Sequence, residues 1–135
     1  MTFKSISAPE VLSKPVKAFS RGARISFGGS TMLLISGTAS VDKNGETYQP
    51  NNFLKQAERT FSNISALLKS EGATWHDVVH TRCYLKSMKY YEDFDRVRSQ
   101  FYRKEKLSPL PASVCVEAGL CRPELLVEIE VMAII

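Results

Sequence analysis

The chain has 135 residues, of which 44% are apolar, and it carries a formal net charge of +4 with a pI near 9.0. This length and apolar fraction predict one globular domain over residues 1–135 and exclude a disordered chain. The basic residues form no run of five or more and do not alternate with aromatic residues. Their scatter argues against nucleic acid as the main partner.

Sequence features that direct a chain to a membrane or to an oxidising compartment are absent. No segment reaches 18 uninterrupted apolar residues, and residues 1–12 have no long apolar stretch of a signal peptide, so we expect a cytoplasmic protein without membrane contact. The cysteines Cys83, Cys115 and Cys121 are an odd number without CxxC spacing. We interpret them as reduced thiols and expect neither a disulfide framework nor a metal site.

The N-terminal third of the chain is predicted to form strands. Val16–Phe19 and Ala23–Phe27 are expected to be two short strands, and the apolar run Met32–Ile35 a buried one. A tight turn is predicted at Asp42–Gly45, because its Asn-Gly pair suits the positive φ angles of such turns.

Two amphipathic helices are predicted. The first is expected to begin near Asn51 or Asn52, both good N-caps, and to end at Gly72. Its apolar stripe consists of Leu54, Ala57, Phe61, Ile64 and Leu68. Ser87 can cap the second helix, whose stripe consists of Tyr90, Phe94, Val97 and Phe101.

Three further strands are predicted, which gives the order ββ-β-α-β-α-β-β. Asp77–Lys86 is a strand between the helices, and alternation divides it into one face with Val79, Thr81, Cys83 and Leu85 and another with Val78, His80, Arg82, Tyr84 and Lys86. Pro109 and Pro111 prevent further helix and precede a strand at Ser113–Glu117. Two helices can cover only one face of such a sheet.

The last strand begins at Leu125 and places two acids on one of its faces. One face is wholly apolar and holds Leu125, Val127, Ile129, Val131 and Ala133; the other holds Leu126, Glu128, Glu130, Met132 and Ile134. A solvent face does not usually mix acids with such apolar residues, and a core face does not hold unpaired acids. We therefore expect another subunit to cover this face and to enclose a carboxylate site.

Three segments in this order and spacing resemble the Rid family of YjgF-like reactive-intermediate deaminases: Ser36-Gly37, Pro111-Ala112-x-x-Cys115-Val116-Glu117 and Val127-Glu128-Ile129-Glu130. The resemblance covers nearly the whole chain. It implies an α+β, chorismate-mutase-like fold with a mixed sheet and two helices on one face. It also implies a homotrimer around a central barrel, with a ligand cleft between neighbouring subunits.

The resemblance implies hydrolysis of imines or enamines derived from amino acids, with water, no cofactor and no metal. Glu128 is expected to be the catalytic residue, because a carboxyl group in a dry cleft can hold a proton near neutral pH and transfer it. The alternative for Glu128 is an ion pair with Arg82 or Arg122 across the sheet. Glu130, which faces the same way, is expected to pair with a strand arginine.

The binding residues depart from the family pattern. The resemblance assigns Gly37–Thr38 to the binding of a substrate oxygen and Cys115 to the pocket wall. In relatives, an arginine two residues before this cysteine binds the substrate carboxylate through two bonds. This chain has Ser113 there, and Phe19 stands where relatives have a tyrosine. A serine cannot supply the charge-assisted bonds of an arginine, so the usual 2-imino acid substrate is in question.

A small anionic substrate, which we expect, requires a cation in place of the missing arginine. The candidates are Arg82 on the strand face, Arg98 on the rim of the second helix's stripe, and Arg122 beside Cys121. Arg98 falls where relatives commonly have a pocket-facing asparagine. Each can instead be a surface arginine that packs its alkyl part and keeps its charge in water.

Two alternatives remain open. The segments Ser36–Ser40 and Cys121–Glu128 also resemble the C-terminal domain of chorismatases, which act on the enol ether of chorismate, and this resemblance places Cys121 in the pocket wall. The other alternative is a metabolite-binding trimer that has lost catalysis together with the arginine.

Overall fold

The computed structural model describes residues 1–135. It contains the strands β1 (Thr2–Ile6), β2 (Gly22–Phe27), β3 (Ser30–Ala39), β4 (Val78–Leu85), β5 (Ala112–Glu117) and β6 (Val127–Ile134), and the helices α1 (Phe53–Ser70) and α2 (Tyr91–Lys104). The number and order of strands and helices match the prediction, although the first strand lies at another place in the chain, and the α+β fold class is confirmed.

The strands form one mixed sheet in the order β1-β2-β3-β6-β4-β5. Neighbours run antiparallel, except that β4 and β5 are parallel. The last strand, β6, therefore lies inside the sheet between β3 and β4. Its residue Glu128 is paired with Ala39 on one side and Tyr84 on the other.

The hydrophobic core lies between the helices and one face of the sheet. It includes Phe61 of α1 and Phe94 of α2, both at most 1% exposed. The predicted apolar face of β6 is confirmed, because none of its members is more than 4% exposed: Leu125, Val127, Ile129, Val131 and Ala133. Leu126 was predicted on the opposite face but is also buried; it precedes the first residue of β6, where alternation no longer applies.

The first strand was predicted at the wrong place. Val16–Phe19 forms no strand, and Val16 is 95% exposed. The strand lies instead at Thr2–Ile6, where it pairs antiparallel with β2 at the edge of the sheet. Only Ile6 of β1 is buried, so this edge strand carries little of the alternation that reveals a strand in a sequence.

The start of α1 is confirmed at its cap and corrected at its first turn. The side-chain oxygen of Asn52 accepts a hydrogen bond from the backbone N–H of Lys55, and Gly72 follows the C-cap with φ +74°. Phe53, rather than the predicted Leu54, enters the core, and Leu54 is 39% exposed. Phe53 lies four residues before Ala57 and is therefore on the same face of the helix.

A bulge in β4 changes the predicted division of its faces. The register shifts between Val78 and His80, so that Val78 is buried and Val79 is 42% exposed, the reverse of the prediction. Beyond the bulge, Thr81, Cys83 and Leu85 are buried as predicted.

Ser87 caps a short 3₁₀ turn, Met88–Tyr90, that leads into α2. Of the predicted α2 stripe, Phe94 and Val97 are buried, and Tyr90 and Phe101 pack partly buried against the core.

The helix-free face of the sheet carries exposed apolar side chains. Val114 and Val116 of β5 are 44% and 41% exposed and lie beside Arg82 and Tyr84 in the register. Ile134, near the end of β6, is 45% exposed. None of the helices has the length and apolarity needed to cross a membrane.

Candidate functional site

A cavity of about 420 Å³ lies where the segment 13–19 meets β3 and the start of β6. The residues predicted from the sequence that line it are Phe19, Gly37, Cys121, Arg122 and Glu128. Its other polar lining residues are Ser13, Lys14, Lys17, Arg21 and Asn44. The structure therefore brings the proposed catalytic acid together with part of the predicted binding set.

Glu128 is seated against the backbone of Gly37. The pairing of β3 with β6 is interrupted by a register shift between Ile35 and Thr38, and Gly37 lies within it. A Cβ on Gly37 would be 2.9 Å from Cδ of Glu128 and 3.1 Å from its Oε2. Only glycine leaves room for the carboxyl group to lie flat against the strand at this point.

The carboxyl group of Glu128 is half-buried and has no side-chain hydrogen bond and no salt bridge to a cation. Burial raises the pKa of Glu128 above its usual range, and the charge of Glu130 raises it further. The predicted alternative, an ion pair of Glu128 with Arg82 or Arg122, is not formed. Glu128 can therefore carry a proton at a higher pH than an ordinary glutamate.

Glu130, rather than Glu128, forms the salt bridge with Arg82 of β4. Its Oε1 accepts a hydrogen bond from Nη1 of Arg82 at 3.0 Å and another from the hydroxyl of Tyr84 at 2.8 Å. The bond to Glu130 is the main cause that raises the pKa of Tyr84. Arg82 lies outside the Glu128 cavity and lines another recess, of about 460 Å³, on the helix-free face.

Arg21 is a cavity residue that sequence reasoning missed. It was not predicted to bind a ligand, yet it is 9% exposed and lines the cavity. Its Nε donates to the carbonyl oxygen of Ser13 at 2.8 Å, and its guanidinium lies 5.8 Å from the centre of the Phe19 ring. The spacing of two residues from Phe19 was the available signal.

Two other predicted binding residues, Ser113 and Arg98, lie outside the Glu128 cavity. Ser113 accepts a hydrogen bond from the hydroxyl of Thr81 at 2.9 Å and one from Arg98 at 3.4 Å. Arg98 also binds Asp95 at 2.7 Å. Ser113 and Arg98 line a second cavity, of about 650 Å³, beside the C-terminal half of α2.

Thr38 and Cys115 line neither cavity. Thr38 is fully buried, and its hydroxyl donates to the carbonyl oxygen of Ser36 at 2.7 Å. Cys115 is half-buried beside Cys83 in the register of β4 and β5. Burial raises the pKa of both thiols, which disfavours the thiolate that a nucleophilic cysteine requires.

A buried amide connects α1 to the wall of the Glu128 cavity. The side-chain nitrogen of Asn63 donates to the carbonyl oxygens of Ala39 and Val41, both at 2.9 Å. Ala39 and Val41 line the cavity. No group of three or more His, Cys, Asp or Glu side chains is arranged to hold a metal ion.

Solved structures with this fold cover almost the whole chain. The YjgF gene product of Escherichia coli aligns with a TM-score of 0.82 at 21% identity, over 96% of this chain and 97% of that one. Escherichia coli TdcF, solved with bound serine, aligns with a TM-score of 0.83 at 20% identity over 98% of each chain. The protein therefore has the YjgF fold, as expected.

The sequence itself matches the family described as Endoribonuclease L-PSP over residues 10–135. A RutC family protein of Saccharolobus solfataricus is 31% identical over 130 residues, which are 96% of this chain and 97% of the relative. The chain belongs to this family, the YjgF/RutC or Rid family.

Proposed function

We propose that the protein is a Rid-type hydrolase that converts a reactive imine or enamine into a carbonyl compound and ammonia, with Glu128 as the catalytic residue. The observation that carries the proposal is the state of Glu128. Its carboxyl group lies in a cavity, has no cationic partner and has a raised pKa, whereas Glu130 on the same strand is neutralised by Arg82. Family membership supports a Rid-like activity in broad terms.

The reaction requires a group that can both give and take a proton. The protonated carboxyl of Glu128 donates its proton to the β-carbon of an enamine, which becomes an iminium ion beside the Glu128 carboxylate. Water then adds to the iminium carbon and gives a proton to this carboxylate, which leaves a carbinolamine. Glu128 passes the proton to the nitrogen, the C–N bond breaks, and ammonia leaves as the hydroxyl oxygen forms the carbonyl and returns its proton to Glu128. A carboxyl whose pKa lies nearer to neutral serves both transfers better than an ordinary one.

We further propose that the working form is a cytoplasmic homotrimer in which the cavity of one chain is completed by its neighbour. The support is the exposed apolar surface on the helix-free face, which includes Val114, Val116 and Ile134. A soluble monomer gains nothing from such a surface, whereas a subunit interface buries it.

An amino-acid-derived substrate agrees with the ligand of one relative. TdcF of Escherichia coli was solved with serine, a small molecule with a carboxylate and an amine. In this chain Ser113 offers only a hydroxyl at the position of the family's arginine. We therefore expect its preferred substrates to differ from those of relatives that keep the arginine.

The experiment compares two acids on one strand. Imines are generated in situ from single amino acids by an amino acid oxidase, and their disappearance is followed with a semicarbazide trap. We expect wild type and Glu130→Gln to accelerate hydrolysis and Glu128→Gln to lose the acceleration. Size-exclusion chromatography of both variants shows whether assembly is intact. No acceleration by wild type with any amino acid, or an unimpaired Glu128→Gln variant, would refute the proposal.

A second candidate, hydrolysis of an enol ether, is favoured by one observation. Cys121 lines the same cavity as Glu128, as the chorismatase-like segment Cys121–Glu128 predicts. An enol ether needs the same proton delivery to carbon. Incubation with chorismate and a coupled assay for pyruvate distinguishes this activity from imine hydrolysis; no pyruvate above the level with Glu128→Gln excludes it.

A further inference from the structure

The Glu128 cavity has an excess of positive charge. Lys14, Lys17, Arg21 and Arg122 line it, and Glu128 is the only acidic residue among its lining residues. The lining therefore carries four cations and a single carboxyl group, whose pKa is raised by burial and by the charge of Glu130. Such a wall attracts an anion.

None of these cations forms a salt bridge within the chain. Arg21 is nine-tenths buried, yet its guanidinium is bonded only to Ser13. Burial and the nearby charge of Arg122 lower the pKa of Arg21. A buried cation beside a second cation is unfavourable unless an anion neutralises the pair.

Both guanidinium groups are held in place by neutral groups. Arg21 donates to the carbonyl oxygen of Ser13, and Nη1 of Arg122 donates to the hydroxyl of Thr47 at 3.1 Å. The hydroxyl of Thr47 donates in turn to the carboxylate of Glu124 at 2.9 Å, so Glu124 is near Arg122 but forms no salt bridge with it. The fork of Arg122 therefore keeps donors free for a ligand.

We propose that Arg21 and Arg122, with Lys14 and Lys17 at the rim, form the site that binds the anionic group of the substrate. The charge-assisted clamp that relatives place on β5 is thereby replaced by cations that line the same cavity as Glu128. Two guanidinium groups supply the charge-assisted, forked bonds that Ser113 cannot. That this anion belongs to a substrate rests on the proposed function; the binding of an anion does not.

The size of the site selects the ligand class. A cavity of about 420 Å³ fits a small metabolite rather than a polymer. Carboxylate and phosphate share the recognition chemistry, so either a 2-oxo acid or a phosphate ester can be the source. A nucleic acid would need a basic surface that continues along its backbone.

The test measures binding of pyruvate and of inorganic phosphate by calorimetry, with chloride at equal ionic strength as reference. We expect at least one of the two anions to bind wild type. Its binding should be weaker by about tenfold or more in Arg122→Gln and in a Lys14→Gln, Lys17→Gln double variant. Arg96→Gln, which removes the same charge from the outer surface of α2, should bind like wild type. Pyruvate alone indicates a carboxylate substrate, and phosphate alone a phosphate ester.

Several results would overturn the inference. They are no binding of either anion, unchanged affinity in Arg122→Gln, loss of affinity in Arg98→Gln instead, or binding of an RNA oligomer but of neither small anion. Arg21→Gln is informative only where circular dichroism shows a folded variant, so Arg122→Gln carries the decision.

The Glu128→Gln variant separates this inference from the proposed function. Arg122-dependent anion binding without imine hydrolysis by wild type refutes the catalytic proposal and leaves the anion site standing. Hydrolysis that is lost in Glu128→Gln but unchanged in Arg122→Gln supports the catalytic proposal and refutes the anion site.

Discussion

Glu128 and Gly37 are packed so closely that a single methyl group on Gly37 would be 2.9 Å from the carboxyl carbon of Glu128. This distance is shorter than any ordinary contact, and the crowded atom belongs to a side chain that can rotate away. The position of the acid in the cavity therefore depends on the absence of a side chain on the neighbouring strand.

Gly37→Ala should displace the carboxyl group of Glu128 and reduce activity by at least about tenfold, since a catalytic group that is moved by about an ångström loses much of its effect. The expected loss of unfolding free energy is at most about 1 kcal/mol, the low end of the range for overpacking, because the Glu128 side chain can rotate away. Hydrolysis rates and urea unfolding measure the two effects. Gly119→Ala is the control, because a Cβ at Gly119 meets no atom within 4 Å. Full activity in Gly37→Ala would show that the close contact is unimportant.

The pKa of Glu128 gives a prediction for stability against pH. Burial, and then the charge of Glu130, raise this pKa, so the folded protein holds the proton more tightly than the unfolded chain. The stability that this carboxyl contributes is present at low pH and is lost as the pH rises from the ordinary glutamate pKa through the raised one. Glu128→Gln, which has no charge at any pH, should escape that loss.

The free energy of unfolding of Glu128→Gln minus that of wild type is therefore expected to increase with pH over this window. Urea unfolding at a series of pH values measures the difference. If proton donation limits the reaction, kcat/KM of wild type should fall as the pH rises through the same pKa. A stability difference that does not change with pH would mean that Glu128 titrates like an exposed glutamate.

The proposed trimer makes Val114→Lys a disruptive substitution. Val114 is 44% exposed in the single chain and lies beside Arg82 on the helix-free face, where a lysine would be buried by a neighbouring subunit. Sedimentation velocity should show wild type at three times the chain mass of 15.1 kDa and the variant at a lower mass. Leu54→Lys, at an exposed apolar position of α1, should leave the mass unchanged. A monomeric wild type would refute the trimer.

Sequence patterns that lie within one helix or one strand predicted that helix or strand correctly. The cap at Asn52, the end at Gly72 and the apolar face of β6 depend on neighbours in the sequence and on regular geometry, so the chain itself displays them. β1 was missed because an exposed edge strand does not need alternation. The bulge between Val78 and His80 places Val78 on the buried face and Val79 on the exposed one. The order of apolar residues in the sequence does not indicate such an extra residue in a strand.

The candidate site was predictable only in part, since its cations come from separate segments. Glu128 and Gly37 were identified by their motif, and the structure places them in contact. Arg21 was not predicted because Val16–Phe19, the segment before it, has the sequence pattern of a strand, whereas this segment is irregular and lies along the cavity. Ser113 and Arg98 line a different cavity from Glu128, and this separation depends on the tertiary structure and cannot be read from the spacing of residues in the sequence.

The amide of Asn63 has a consequence for how this protein can evolve. It binds the backbone at Ala39 and Val41 to the middle of α1, a helix that contributes no residue to the lining of the Glu128 cavity. Substitutions along that helix can thus reshape the chamber without altering any group that a substrate touches. Selection for new substrates would then favour substitutions in α1, which lies on the opposite side of the sheet from Glu128.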